Sequence, residues 1–180
     1  MNKMRDRLLL GVISGLAGGA VKNVVGSILM KSHASEFGGP ARAAGMLLPA
    51  HKIATPQGRL VGWLADTAIA GLLGIASVYM LSVTGKDNAA LKGAITTGGV
   101  AWMGLYGVLG TLGATRVEPG HPRTVLSEFI THSIYGAVTG ATACYLGDEG
   151  LFNGEIPLFA SDRQPAKQIS LEPITNQVRY

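Results

Sequence analysis

The sequence predicts an all-α fold, an integral membrane bundle of four transmembrane helices with glycine-rich packing faces. Three observations carry that expectation. Apolar stretches at residues 8–30, 60–83, 89–113 and 124–146 are each long enough to cross a bilayer, because a helix rises about 1.5 Å per residue and about 20 residues cover a hydrocarbon core of about 30 Å. Charged residues make up only 14% of the chain, against about 25% in an average soluble protein. The 26 glycines crowd the apolar stretches and follow no collagen-like period; in a membrane helix small residues let a neighbour approach closely.

The first span follows a basic segment at residues 1–7 and passes small residues at Gly18, Gly19 and Ala20, a pattern shared with secretory signal peptides. Apolar residues resume after Lys22 with Val24, Val25, Ile28, Leu29 and Met30, so the stretch is expected to be retained as a span. Residues 31–59 hold Pro40, Pro49 and Pro56 and read as a loop over the end of the bundle; their apolar middle, residues 43–50, is too short to span, and a re-entrant piece is the alternative. Gly85, Asp87 and Asn88 form a tight turn that makes the second and third spans antiparallel neighbours. Residues 114–123, with Pro119, Gly120 and Pro122, link the third span to the fourth. The expected division is a transmembrane domain at 1–146 and a polar C-terminal tail at 147–180 with charges of both signs and three prolines.

Net charge is +4, which fits positive flanks around membrane spans. A nucleic-acid partner would need a clustered basic face with aromatics beside it, and no such face is visible. Cys144 is the only cysteine; it rules out an intramolecular disulfide and reads as a small packing residue. No phosphate-binding loop, Gly-x-Ser-x-Gly, His-Glu-x-x-His or dinucleotide fingerprint is present, so the chain is expected not to be an enzyme and to need no cofactor.

Lys22, Asp66, Glu128 and His132 interrupt these spans. A charge at the bilayer centre costs about 2.5–3.5 kcal/mol on insertion scales, so intramembrane ionisable groups usually serve a site. Counting from the side that holds residues 31–59 and 114–123, the long-loop side, they lie at depths of about 12, 9, 6 and 12 Å, all in one half of the membrane. Helical periodicity gives the faces. Gly11, Gly15, Gly18, Lys22 and Gly26 form one stripe; Gly62, Asp66, Ala70 and Ser77 a second; Thr124, Glu128, His132, Tyr135, Thr139 and Thr142 a third. The third span offers Thr96, Gly99, Met103, Tyr106, Gly110 and Gly113.

The expectation is a buried polar cluster of Lys22, Asp66, Glu128, His132, Tyr135 and Tyr106, with Lys22 the only strong cation near mid-membrane and Asp66 and Glu128 its candidate counter-ions. Three readings stand side by side: a hydrogen-bonded network that fixes helix register, a hydrated or proton-handling site, and a metal site on Glu128 and His132. The metal reading lacks the further His, Cys or carboxylate ligands that a tight site requires, so no metal is expected. Lys92 is expected to snorkel to the interface, Trp63 and Tyr79 to sit in interfacial belts, and Trp102 to pack. His33, His51 and His121 read as solvated loop residues.

Two segments carry a family resemblance. The first span reads Gly18-Gly19-Ala20-Val21-Lys22, and the fourth opens Leu126-Ser127-Glu128-Phe129-Ile130-Thr131-His132, a Ser-Glu-x-x-x-His pattern followed by Tyr135. With four spans, this resembles the YagU-type bacterial inner-membrane proteins, a family of unknown function. Lys22, Glu128 and His132 carry the likeness, which is faint over the first loop and the tail. It implies a multi-pass protein of the bacterial inner membrane and an association with acid tolerance. From the charge of the first flank, both termini are expected to be cytoplasmic. The expected partners are the lipid bilayer and a second copy or another membrane subunit. Two functions remain: a small transport or proton-handling component, or a non-catalytic membrane scaffold in which the cluster is structural.

Overall fold

The computed structural model describes residues 3–154, and within them the protein is all-helical. Helix α1 (Arg7–Lys31) starts where the Asp6 side chain accepts from the amides of Leu8 and Leu9, satisfying two of the orphan donors at a helix start. Two short helices come next, α2 (Gly39–Leu47) and α3 (Ala50–Ile53). Helix α4 (Pro56–Thr84) is capped by Thr55 and has proline at its start. The turn after it uses left-handed backbone at Gly85 (φ 78°) and Asn88 (φ 54°), two of the expected turn formers. Lys92 Nζ donates to the carbonyls of Thr84 and Gly85 at 2.7 and 3.0 Å. That places a cation on the negative end of α4.

The third rod is one continuous helical run of four pieces: α5 (Ala89–Gly93), the π-helical turn π1 (Ala94–Gly98), α6 (Gly99–Met103) and the π-helical turn π2 (Gly104–Leu109). The run continues through Gly110 and Thr111, ending just short of the expected residue 113. Its packed face also differs from the expected stripe. The buried residues are Ala89, Gly93, Thr97, Gly98 and Leu105, whereas Met103 is exposed and a side chain at Gly99 or Gly113 would meet open space. A π turn holds one more residue than an α turn, so each one rotates the residues beyond it against a regular 3.6-residue period. Helix α7 (Pro122–Leu146) is unbroken.

Glycine seams join the long rods in series. A Cβ at Gly11 would lie 2.5 Å from Ile75 Cα, and one at Gly74 2.5 Å from Gly15 Cα, so α1 and α4 touch backbone to backbone. Gly18 faces the Tyr135 carbonyl on α7. Gly93 and Gly98 oppose Gly136 and the His132 backbone, joining the third rod to α7. At the short-loop end a core of Leu10, Val78, Leu81, Ala143, Leu151 and Phe152 closes the bundle.

Two expectations for the polar segments change. The middle of the segment after α1 is not a loop. Helix α2 packs against α4 with Arg42, Ala43, Ala44 and Gly45 buried, and Gly62 lets the Pro40 carbonyl come close. The tail also does not turn polar at once. A 3₁₀ turn at Glu149–Phe152 buries Leu151 and Phe152, and Lys86 pairs with Glu149 at 2.5 Å. The remainder of the expected tail lies outside the described residues.

The long-loop end is pinned by Glu36. Its carboxylate accepts from the Gly120 amide at 2.8 Å and from the Thr124 hydroxyl at 3.0 Å, with the His121 amide at 3.3 Å. Helix α7 has no side-chain cap of its own, so a residue from the far end of the preceding chain acts there. Partial desolvation raises the Glu36 carboxyl, but the Thr124, Gly120 and His121 bonds and the His121 ring outweigh it and hold the group below the usual carboxylate range. The folded carboxyl is the stronger acid, so its contribution is complete above the ordinary glutamate value of about 4.3 and fades as pH falls through the lower folded value. The thermal midpoint of detergent-solubilised protein is therefore expected to drop between about pH 5 and pH 3 by more in the wild type than in Glu36→Gln. Equal pH profiles for the two would contradict the capping role.

Candidate functional site: a charge-balanced polar layer

The glycine seam of α1 turns Lys22 inward, and the Gly62–Ser77 stripe of α4 brings Asp66 to the same level. Lys22 Nζ meets Asp66 Oδ1 at 2.5 Å, and Asn23 Nδ2 donates to Asp66 Oδ2 at 3.1 Å. The Lys22 and Asp66 side chains are buried. Both oxygens of Asp66 thus have donors, which a buried carboxylate requires. The start of α2 covers this pair. A Cβ at Gly39 would stand 2.9 Å from Asp66 Oδ1 and 3.0 Å from Lys22 Nζ, so a side chain there would push on the ion pair, and glycine lets the α2 backbone close over it.

Glu128 does not pair with Lys22. Its partner is Arg42 on α2, with Arg42 Nη1 2.9 Å from Glu128 Oε2 and both side chains buried. Tyr106 OH donates to the same oxygen at 2.6 Å. The Arg42 guanidinium lies over the Tyr106 ring, 4.2 Å from its centroid, a stacking arrangement that suits a planar cation. The loop before α7 secures α2 from the other side, where the Arg116 amide donates to the Gly45 carbonyl at 2.9 Å. Two buried atoms of the Arg42–Glu128 pair, Arg42 Nε and Glu128 Oε1, have no hydrogen-bond partner.

His132 and Tyr135 occupy the expected face of α7 but engage backbone. The His132 ring bonds through Nδ1 to the Glu128 carbonyl at 2.7 Å, not to its carboxylate. Tyr135 OH donates to the Ala70 carbonyl at 2.7 Å, tying α7 to α4. Lys22, Asp66, Glu128 and Tyr106 therefore meet in one layer with His132 at its edge, and Tyr135 braces it. Arg42 is the residue that sequence reasoning missed. It stands in a segment with Gly38, Gly39 and Pro40, where a cation reads as solvated. The available signal was the run Ala41, Ala43, Ala44, Met46 and Leu47 after a proline suited to a helix start.

Two cavities flank the layer. One of about 600 Å³ runs from Arg59 and Ile53 on the long-loop side down past Ser27 and Ser127 to Lys22 and His132. Lys22 thus shares a cavity with residues of the long-loop side. The other, of about 380 Å³, lies on the far side of α2. Lys22, Gly39, Glu128 and His132 line both. Among the described residues no group of three His, Cys, Asp or Glu side chains is arranged to hold a metal ion.

Fold and site together define an all-helical protein with a buried layer of two ion pairs between two cavities. Comparison of the chain with protein-family models, with curated proteins and with solved structures gives no match.

Proposed function

We propose that this protein is a four-span membrane component that handles protons or small ions, with the polar layer as its working site. The observation that carries the proposal is the placement of Glu128. Its carboxylate holds an unpartnered oxygen and belongs to a residue lining the cavity that extends to Ile53 and Arg59 on the long-loop side. An intramembrane carboxylate beside a route for water is the usual part of a proton relay. Lys22 and Arg42 tune how readily that carboxylate gives up its charge.

The membrane reading rests on the outer surface. Helices α1 and α4 are long and apolar enough to cross a bilayer. Exposed large hydrophobics continue round the other rods, with Leu91, Ile95, Val100 and Val108 on the third and Leu126, Phe129 and Ile130 on α7. Contiguous apolar surface of this extent needs a cover, and a bilayer supplies it on all sides. In this reading α2 is a re-entrant helix, its middle from Arg42 to Gly45 buried in protein. The likeness of Lys22, Glu128 and His132 to YagU-type proteins supports a bacterial inner-membrane location, and the basic first flank with an even number of spans supports both termini in the cytoplasm.

The test is proton flux. In proteoliposomes with an entrapped pH dye, wild-type protein is expected to dissipate an imposed pH gradient faster than empty liposomes, and folded Glu128→Gln to match the empty control. Wild-type protein that conducts nothing would sink the transport reading. One observation favours a second reading in that event: every buried charge of the layer already has an opposite partner. The layer would then lock α2 among the long helices of a membrane scaffold.

A further inference from the structure

The smaller cavity is a cleft between α4 and the third rod. It exists because the rod leaves α4 partway along: α5 and π1 touch α4, while α6 and π2 make no extended contact with it. Its walls are apolar, formed by Ile69 and Leu73 of α4, Met46 of α2 and Val100, Leu105 and Leu109 of the rod. At about 380 Å³ it falls within the range of about 300–1,000 Å³ usual for small-molecule sites. Ile69 and Val100 at its rim are exposed and continue into the apolar outer surface of the bundle. The cleft therefore opens sideways, toward lipid, if the bundle spans a membrane; the inference rests on that reading and not on transport.

The inner end of the cleft is polar. Lys22, Asp66, Arg42 and Glu128 form it, and as two ion pairs they carry no net charge. An occupant that ended in a carboxylate or phosphate would bring an unbalanced charge into a low-dielectric site, at high cost. A pure hydrocarbon would leave Arg42 Nε and Glu128 Oε1 without partners, which is also costly for buried groups. A hydroxyl meets both needs, since it accepts from one atom and donates to the other without adding charge.

We propose that the cleft binds a single-chain neutral amphiphile, a long-chain alcohol, entering from the bilayer. Its hydroxyl faces the Arg42–Glu128 pair and its chain lies between α4 and the third rod. Both pair atoms are covered in the packed layer, so the Glu128 carboxylate turns toward the cleft as the hydroxyl arrives.

Gly104 makes the proposal testable. It lines the cleft, and a Cβ there would meet nothing within 4 Å. Gly104→Phe therefore fills the space without pushing on the backbone. The probe is hexadecanol carrying a diazirine in its chain, photolysed with wild-type proteoliposomes and mapped by peptide mass spectrometry. Labelling is expected to concentrate on Ile69, Leu73, Val100 and Leu105, about tenfold above lipid-facing Ile13 and Ile130. Excess hexadecanol is expected to compete, hexadecane and palmitate not. Gly104→Phe, with an unchanged thermal midpoint, is expected to reduce cleft labelling to the level of Ile13. Equal labelling of cleft and outer surface would mean bulk lipid only and would overturn the proposal. Competition by palmitate but not by hexadecanol would overturn the hydroxyl assignment. Absence of label from Ile13 and Ile130 would remove the membrane reading and the cleft with it. The flux result bears on none of these outcomes.

Discussion

Arg42→Met is expected to destabilise the protein by about 3–5 kcal/mol, the cost of removing one member of a buried ion pair. The side chain is almost wholly enclosed, and its loss leaves the buried Glu128 carboxylate without its ion-pair partner and with only Tyr106 bonded to it. Glu128 must then take up a proton or drag in water, and α2 loses its strongest anchor. The companion variant Arg42→Met/Glu128→Gln is expected to recover most of the loss. It removes the second charge while keeping an acceptor for the Tyr106 hydroxyl, and a buried pair replaced as a unit is often nearly neutral. Unfolding by a graded denaturing detergent, read by near-ultraviolet circular dichroism, measures both. A solvated loop arginine would behave differently, its replacement falling within about 0.5 kcal/mol of the wild type. Non-additivity of the pair is thus the signature of the layer.

Gly74→Leu is expected to cost about 3 kcal/mol or more, at the upper end of the range for overpacking. The reason is that the obstruction is backbone. The new Cβ would stand 2.5 Å from Gly15 Cα and 2.7 Å from Gly15 N, and no rotamer relieves a clash with main chain. Helices α1 and α4 would have to separate, pulling Lys22 away from Asp66 two turns further along. The variant should therefore lose the layer as well as the seam. Gly26→Leu serves as the control: it lies on the α1 stripe with Gly15, the residue Gly74 packs against, yet its added Cβ would meet nothing within 4 Å, so it should be tolerated. Equal losses from the two variants in the same unfolding assay would contradict the seam.

The contrast between these glycines shows how far the sequence could be read. A 3.6-residue stripe fixes which side of α1 is small, and it identified Gly11, Gly15, Gly18 and Lys22 as one face. It does not say how far along the neighbour stays close, and Gly26 lies beyond the contact. The same periodicity brought Asp66 to Lys22 because α1 and α4 are regular throughout their length. It failed on the third rod because two π turns shift the face, and nothing in residues 94–109 marks a π turn locally. Arg42 was hidden for another reason. A nine-residue helix is too short to register as a span, so its cation was counted with the loops. Its burial is a tertiary fact, set by Gly39 and Gly62, which let α2 close over the polar layer. Glu128 was legible as a buried acid, but its partner was not.

The proposed four-span reading requires each long rod to cross from one side of the membrane to the other, the third rod included. Side-specific labelling tests this most directly. In a Cys144→Ser background, single cysteines replace Asp87 in the turn before the third rod and Glu118 in the loop after it. Asp87 and Glu118 are both exposed. Sealed inside-out and right-side-out vesicles are treated with a membrane-impermeant maleimide. With the third rod spanning, Asp87→Cys reacts in one vesicle type and Glu118→Cys in the other. Reaction of both from the same side would contradict the crossing.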